Sequence, residues 1–215
     1  MDAQRLTTFI ESFEREEESF LSRVRSQAIA DRIPVIRTPM ISLIKTLLHI
    51  RVPERILEIG TAVGYSALLM AENTPPEVQI VTIEKYEKRI PVARQNFKDA
   101  GVEDRITLLE MDAARALEEL EKAGDRFDLI FMDAAKGQYP GFLGPSLRML
   151  NKGGILLSDN VLQEGDILES RYAVERRDRT IHTRMREYLY EITHRDDLQT
   201  TILPIGDGCA VSVKL

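Results

Sequence analysis

Arg55–Ser66 reads R-I-L-E-I-G-T-A-V-G-Y-S, and the fold turns on how that stretch is understood. Ile56, Leu57 and Ile59 make the short apolar run expected of a strand buried on both faces. Gly60 and Gly64 punctuate a tight loop, and Ser66-Ala67-Leu68-Leu69-Met70-Ala71 resumes as a helix. Strand, glycine loop and helix in that order open a βαβ unit, with the helix N-terminus facing the loop. Glycine there leaves no Cβ between the backbone and an approaching ligand.

The glycine spacing narrows the ligand. A dinucleotide site wants G-x-G-x-x-G, whereas this chain has E-x-G-x-x-x-G with Glu58 two residues before the first glycine. A carboxylate in that place repels a pyrophosphate and suits a cationic ligand, such as the amino group of a sulfonium nucleoside. The stretch resembles motif I of S-adenosylmethionine (SAM) methyltransferases. A plain β-turn-α with incidental glycines is the alternative that the motif alone leaves open.

Upstream, Leu6, Phe9, Ile10 and Phe13, then Phe20, Leu21, Val24 and Ala28, recur at helical spacing. A break near residues 16–19 predicts two helices, and Glu14, Glu16, Glu17 and Glu18 predict a solvated face. The Phe-rich stripe predicts a docking face, either onto the rest of the chain or in a homodimer seam. Residues 1–32 are therefore read as N-terminal helices and 33–215 as one catalytic domain. Ile33–Arg37 is extended between Pro34 and Pro39, and Ile41–Ile50 is a helix whose C-terminal end His49 complements.

Downstream, Asn73-Thr74-Pro75-Pro76 is a breaker. Strands are predicted at 79–83, 106–110, 127–132 and 155–157, with helices at 89–100, 113–123 and 139–150 between them. Pro140, Gly141, Gly144 and Pro145 predict an irregular start to the last of these helices, and Asn151-Lys152-Gly153-Gly154 predicts a turn. A helix at 180–193 and strands at 200–203 and 210–214, joined through Gly206-Asp207-Gly208, close the chain. This alternation predicts an α/β, Rossmann-like fold: a doubly wound, mostly parallel seven-stranded sheet with an antiparallel C-terminal hairpin. Ligands of such sheets gather beyond the carboxyl ends of the strands, where Glu58, Glu84, Asp112, Asp133, Asp159 and Asn160 all fall.

Composition removes several classes. No apolar run is long enough to cross a bilayer, and residues 1–17 are charged rather than signal-like, so a cytoplasmic protein without a membrane partner is expected. Cys209 is the only cysteine among 215 residues, which excludes an intramolecular disulfide and a thiolate zinc site. A net charge of −6 argues against general attraction to nucleic acid. Residues 171–186 are the local exception: six arginines (Arg171, Arg176, Arg177, Arg179, Arg184, Arg186) stand against Glu175 and Asp178, an excess of four.

Asp133, Asp159 and Asn160 occupy the tips of the fourth and fifth strands, which the topology places side by side. Two carboxylates and an amide oxygen form a hard, all-oxygen donor set suited to Mg²⁺. Glu84, 24 residues past Gly60 at the second strand's end, suits ribose hydroxyls. Asp112, at the third strand's end, would sit near an adenine edge. Lys136 follows Asp133 by three residues, and a lysine beside a divalent cation and a sulfonium has its charged form disfavoured, as a general base requires. His49, His182 and His194 show no metal-ligand spacing.

With these residues in view, the chain resembles the Mg²⁺-dependent catechol and caffeoyl-CoA O-methyltransferase-like family. The resemblance rests on L-E-I-G-T-A-V-G-Y-S (57–66), T-I-E (82–84), F-M-D-A-A-K-G-Q-Y (131–139) and S-D-N-V-L-Q-E-G (158–165). It implies that Asp133, Asp159 and Asn160 hold the metal, that Lys136 is the base, and that Ile36, Glu58, Gly60, Ser66, Glu84, Asp112, Ala113 and Asp133 line the SAM site. The family position at Ala113 is often a hydroxyl residue, so a hydrogen bond to adenine is missing there. The implied reaction is deprotonation of a hydroxyl that shares the metal with a neighbouring oxygen, followed by attack on the sulfonium methyl.

Within the family, D-A-A-K-G-Q-Y-P-G-F and the arginine-rich stretch are similar to the bacterial enzymes that convert 5-hydroxyuridine at the tRNA wobble position to 5-methoxyuridine. That implies a tRNA anticodon stem-loop as partner, with Arg171, Arg176, Arg177 and Arg179 on its phosphates and Tyr139 or Tyr172 stacking a base. A small catechol or hydroxycinnamoyl acceptor would present the same two adjacent oxygens. A non-catalytic nucleoside-binding module or a nicotinamide dehydrogenase is the reading from another class, and the E-x-G-x-x-x-G spacing argues against the latter.

Overall fold

In the computed structural model, residues 3–13, 19–170 and 172–215 are described; the acidic run at 14–18 and Arg171 lie outside the described residues. The strands are β1 (Arg55–Ile59), β2 (Gln79–Glu84), β3 (Ile106–Glu110), β4 (Phe127–Met132), β5 (Leu150–Ser158), β6 (Leu198–Leu203) and β7 (Cys209–Lys214). They form one sheet in the order β3-β2-β1-β4-β5-β7-β6. β1 to β5 pair in parallel, and β7 inserts antiparallel between β5 and β6. The predicted fold, hairpin included, is the one observed.

Side chains of β1 alternate between two cores, as a period of two demands. Ile56 packs with α2 (Phe20–Ala30), α3 (Thr38–Ile50), α4 (Tyr65–Glu72) and α5 (Ile90–Asp99) on one face of the sheet. Leu57 and Ile59 pack with α6 (Ala113–Ala123), α7 (Tyr139–Met149) and α8 (Arg179–Thr193) on the other. Glu58 therefore points to the same face as Ile56, and it is fully buried.

Two expectations need correction. β5 begins at Leu150, so the Asn151–Gly154 turn is an irregularity inside the strand, not its boundary. Leu150 pairs with Phe127 and Ile155 with Leu129; the surplus residues bulge, helped by Gly153 at φ +72°. α7 is regular from its first residue: Pro140 sits in the first turn, where no intrahelical N–H bond is lost. Pro145 lies within the helix, but burial of Tyr139, Phe142, Leu143 and Leu147 outweighs its propensity cost. The two N-terminal helices differ in how they sit on this chain. Ser19 and Ser22 cap α2 reciprocally and Leu21, Val24 and Ala28 enter the core, whereas α1 (Ala3–Glu11) and the turn after it leave Phe9, Ile10 and Phe13 exposed by 61%, 51% and 72%. Among the described residues no helix is long and apolar enough to cross a membrane.

Candidate active site at the strand tips

The tips of β1, β4 and β5 are locked together one residue past the strands. The Asp133 amide donates to the Ile59 carbonyl at 3.0 Å, and the Asp159 amide donates to the Met132 carbonyl at 3.0 Å. Gly60 has φ +110°, and a Cβ there would lie 2.0 Å from the Asp133 carbonyl oxygen. A Cβ on Gly64 (φ +85°) would strike the Phe97 ring. The space these glycines leave is thus taken by the protein's own backbone and ring; their role is close internal packing, with ligand access a consequence of the loop shape.

Asn160 adopts φ +60°, a left-handed conformation that asparagine tolerates better than most side chains. That turn sends its amide nitrogen back to within 3.2 Å of Asp133 Oδ1, while its backbone N–H donates to Asp159 Oδ1 at 2.7 Å. Tyr139, wholly buried, has its hydroxyl 3.0 Å from the Met132 carbonyl and 2.9 Å from the Asp159 carbonyl, sharing one proton between them. Its ring meets Tyr188 edge-on at 5.3 Å. Tyr139 is a brace between the β4 and β5 tips, so the expectation that it stacks a base is withdrawn.

Electrostatics mark this corner. Burial pushes the Asp133 carboxyl up to about 6 and the Asp159 carboxyl up to about 7, the latter also raised by the Asp133 charge. Lys136, half-buried at the start of the 3₁₀ turn Lys136–Gln138, draws both the other way. One lysine does not neutralise two carboxylates, Asp159 buried and Asp133 half-buried. The donor set, two carboxylates and an amide whose oxygen and nitrogen exchange by a flip, fits a hard divalent cation in chemistry and in charge. Among the described residues no group of three or more His, Cys, Asp or Glu is placed to hold a metal, so the amide is an essential member of any such site.

Beside this corner a concavity is lined by Pro34, Val35 and Ile36, by residues of the Gly60–Ser66 loop, and by Asp133. Ile36, Gly60, Ser66 and Asp133 are brought together as expected. Glu58 lies beneath, its carboxyl pushed up to about 7 by burial. Thr82, its register partner on β2, donates to one Glu58 oxygen at 2.5 Å, so Thr61, 2.6 Å from Thr82, donates in turn. The other Glu58 oxygen is buried with no hydrogen bond of good geometry, although the nearby Ser66 hydroxyl draws the carboxyl down against its burial; such an oxygen is costly unless a better-placed donor arrives. Thr61 and Thr82 escaped the sequence analysis, although Thr82 stands two residues before Glu84 on the Glu58 face.

Glu84 is also buried, and it organises backbone: Oε2 accepts from the Ala62 amide at 2.9 Å, and Oε1 from the Lys85 and Tyr86 amides. Asp112 caps α6 through the Ala114 amide and pairs with Lys85 at 2.9 Å, exposed at the end of β3. Asp112 and Ala113 stand outside the residues that line the concavity.

The arginine segment divides. Arg179 donates to the Val174 and Tyr172 carbonyls, Arg184 to Gly137 at 2.9 Å, and Arg186 to Ile167. Arg177 pairs with Glu175 at 2.9 Å and with Asp178. Arg179, Arg184 and Arg186 thus tie down loops of the chain, whereas Arg177 stays exposed. His182, buried on α8, approaches the Glu169 carbonyl, and Tyr172 is 82% exposed.

The sequence profile of the O-methyltransferase family matches residues 12–215. The chain belongs to that family. It is 38% identical over 114 residues to a catechol O-methyltransferase of Mycobacterium tuberculosis, a match covering 53% of this chain and 51% of that one, so it spans about half of that relative's length. It is 27% identical over 197 residues to a Dictyostelium discoideum protein named for caffeoyl-CoA O-methylation, covering 91% of this chain and 84% of the other. The crystal structure of an SAH-bound methyltransferase from Podospora anserina superposes with a TM-score of 0.85 at 29% identity, covering 99% and 95% of the two chains. The resemblance to catechol and caffeoyl-CoA enzymes therefore holds for family and fold.

Proposed function

We propose that this chain is a SAM-dependent O-methyltransferase using Mg²⁺ and an acceptor with two adjacent oxygens. The convergence of Asp133, Asp159 and Asn160 beside the concavity that reaches Asp133 carries the reading. Those three residues would hold the cation, which when bound supplies charge stabilisation to an acceptor oxygen. The concavity would hold SAM, whose sulfonium supplies the methyl group; the SAH in the Podospora relative is consistent with that ligand. Glu58, with one oxygen short of a hydrogen bond of good geometry, accepts from the cofactor's cationic end, and Thr82 and Thr61 hold it in place. Lys136 takes the acceptor's proton from a turn that Arg184 pins through the Gly137 carbonyl. Tyr139 fixes the spacing of the β4 and β5 tips, and such positioning supplies much of the acceleration.

As acceptor we propose 5-hydroxyuridine at the tRNA wobble position. Exposed Tyr172, Arg176 and Arg177 follow the fifth strand and suit a nucleobase and phosphates. The second reading, a free catechol or hydroxycinnamoyl acceptor, is supported by the relatives' names and by Arg179, Arg184 and Arg186, whose guanidiniums already bond to the chain's own carbonyls. The test is competition: SAM and Mg²⁺ with hydroxyuridine-bearing tRNA in one arm and catechol in the other, methyl transfer followed by mass spectrometry. Methylated tRNA, with loss of 5-methoxyuridine in cells lacking the protein, supports the first acceptor; turnover of catechol alone supports the second. A homodimer covering Phe9 and Phe13, and a cytoplasmic site of action, belong to the same proposal.

A further inference from the structure

Two loops far apart in sequence meet over the site. The extended segment 33–37 supplies Pro34, Val35 and Ile36 to the concavity, with Ile36 buried. The β6–β7 loop, Gly206-Asp207-Gly208, receives the metal-side loop: the Val161 amide donates to the Gly208 carbonyl at 2.9 Å and the Leu162 amide to the Asp207 carbonyl at 3.0 Å. A Cβ on Gly208 would fall 2.2 Å from Leu162, so the two loops are in intimate contact. Val161 directly follows Asn160. Among the described residues an ion pair, Arg37 to Asp207 at 2.8 Å, bridges the two loops, with the Arg37 stem packed beside Gly206.

We propose that Arg37 and Asp207 are a positioning pair that joins the cofactor-side segment to the metal-side loop, so that each ligand's binding favours the other's. The inference rests on the reading of the concavity as the cofactor site and goes beyond it by assigning a coupling. Mechanical continuity carries it: Ile36 touches the concavity, Arg37 grips Asp207, and the hairpin backbone grips Val161 and Leu162 next to Asn160. A half-exposed pair of this kind adds little to overall stability, with the Arg37 side chain 54% and the Asp207 side chain 16% exposed. Its effect belongs in geometry.

The experiment measures the affinity of the intact protein for S-adenosylhomocysteine by calorimetry, with and without Mg²⁺. In the wild type Mg²⁺ tightens binding about fivefold or more, the low end of ordinary site-to-site coupling. Arg37→Met and Asp207→Asn bring that ratio close to one, the double variant goes no further, and Arg37→Lys restores most of it. An unchanged ratio in a folded Arg37→Met protein overturns the pair. If that variant does not fold, hydrogen exchange on the wild type decides: S-adenosylhomocysteine protecting the amides of 206–208 together with those near Ile36 supports the coupling, and protection confined to the latter overturns it. A wild type that binds no S-adenosylhomocysteine overturns the cofactor reading and this inference together, whereas binding without coupling overturns this inference alone.

Discussion

The strand tips and the arginine-rich segment were equally conspicuous in the sequence, and the structure treats them differently. At the tips of β1, β4 and β5, polar side chains are buried or half-buried with too little positive charge around them: Asp133, Asp159 and Glu58 all have carboxyls pushed up into the range of about 6 to 7. Along 172–186, cations and carbonyls satisfy one another: Arg179, Arg184 and Arg186 end on the loops they hold. A cluster left electrostatically incomplete points to something that binds, whereas a completed one points to architecture.

The largest effect that sharpens this contrast is at Asp159. Asp159→Asn is expected to lower methyl transfer by about 100-fold or more, beyond what outer partners of a metal cost, with S-adenosylhomocysteine binding retained by calorimetry. The same change stabilises the metal-free protein at pH 8. A carboxyl raised to about 7 contributes its full stability below its unfolded value and loses it as pH rises through 7, a loss the amide does not suffer. A lower melting temperature for metal-free Asp159→Asn at pH 8 would break the incompleteness argument.

Gly60→Ala comes next. The added Cβ meets the Asp133 carbonyl at 2.0 Å in a left-handed backbone, so about 3 kcal/mol and roughly 6–12 °C of melting temperature are expected to be lost. Neutralising Arg176 and Arg177 tests the other region. With tRNA as acceptor each change weakens binding several-fold and lowers the salt slope by about one; with catechol the rate stays unchanged. Arg184→Met, by contrast, slows either acceptor through the Lys136 turn, by about tenfold in kcat with KM little changed.

The smallest effect is at Glu58. Burial raises its carboxyl from 4.5 to about 7, so the stability it contributes is complete below about pH 4.5 and drains away up to pH 7. Glu58→Gln flattens the melting temperature across that window, and scanning calorimetry at pH 5 and pH 8 reads the difference.

Much of this was legible without coordinates. Ile56, Leu57 and Ile59, the glycines after them, and the acidic residues at or just past the ends of β2 to β5 follow from periodicities and turn chemistry that act over a few residues. The sequence also placed Asp133 and Asp159 at neighbouring tips, because parallel sheet topology leaves few choices. It misjudged β5 and α7, where packing overrode local preference.

By itself, then, the chain's order of residues determined the doubly wound sheet and which carboxylates stand at its edge, since both depend on short-range pattern. Only the tertiary structure decided that Thr61 and Thr82 sustain Glu58, that Tyr139 braces two strands, that three of the five described arginines in 172–186 bind carbonyls, and that Arg37 reaches Asp207. Apart from the Arg179 bonds and the Tyr139–Met132 bond, which span 5 to 7 positions, those contacts join residues 19 or more positions apart, and no local propensity encodes them; they exist only once burial has brought the elements together and every polar group must find a partner.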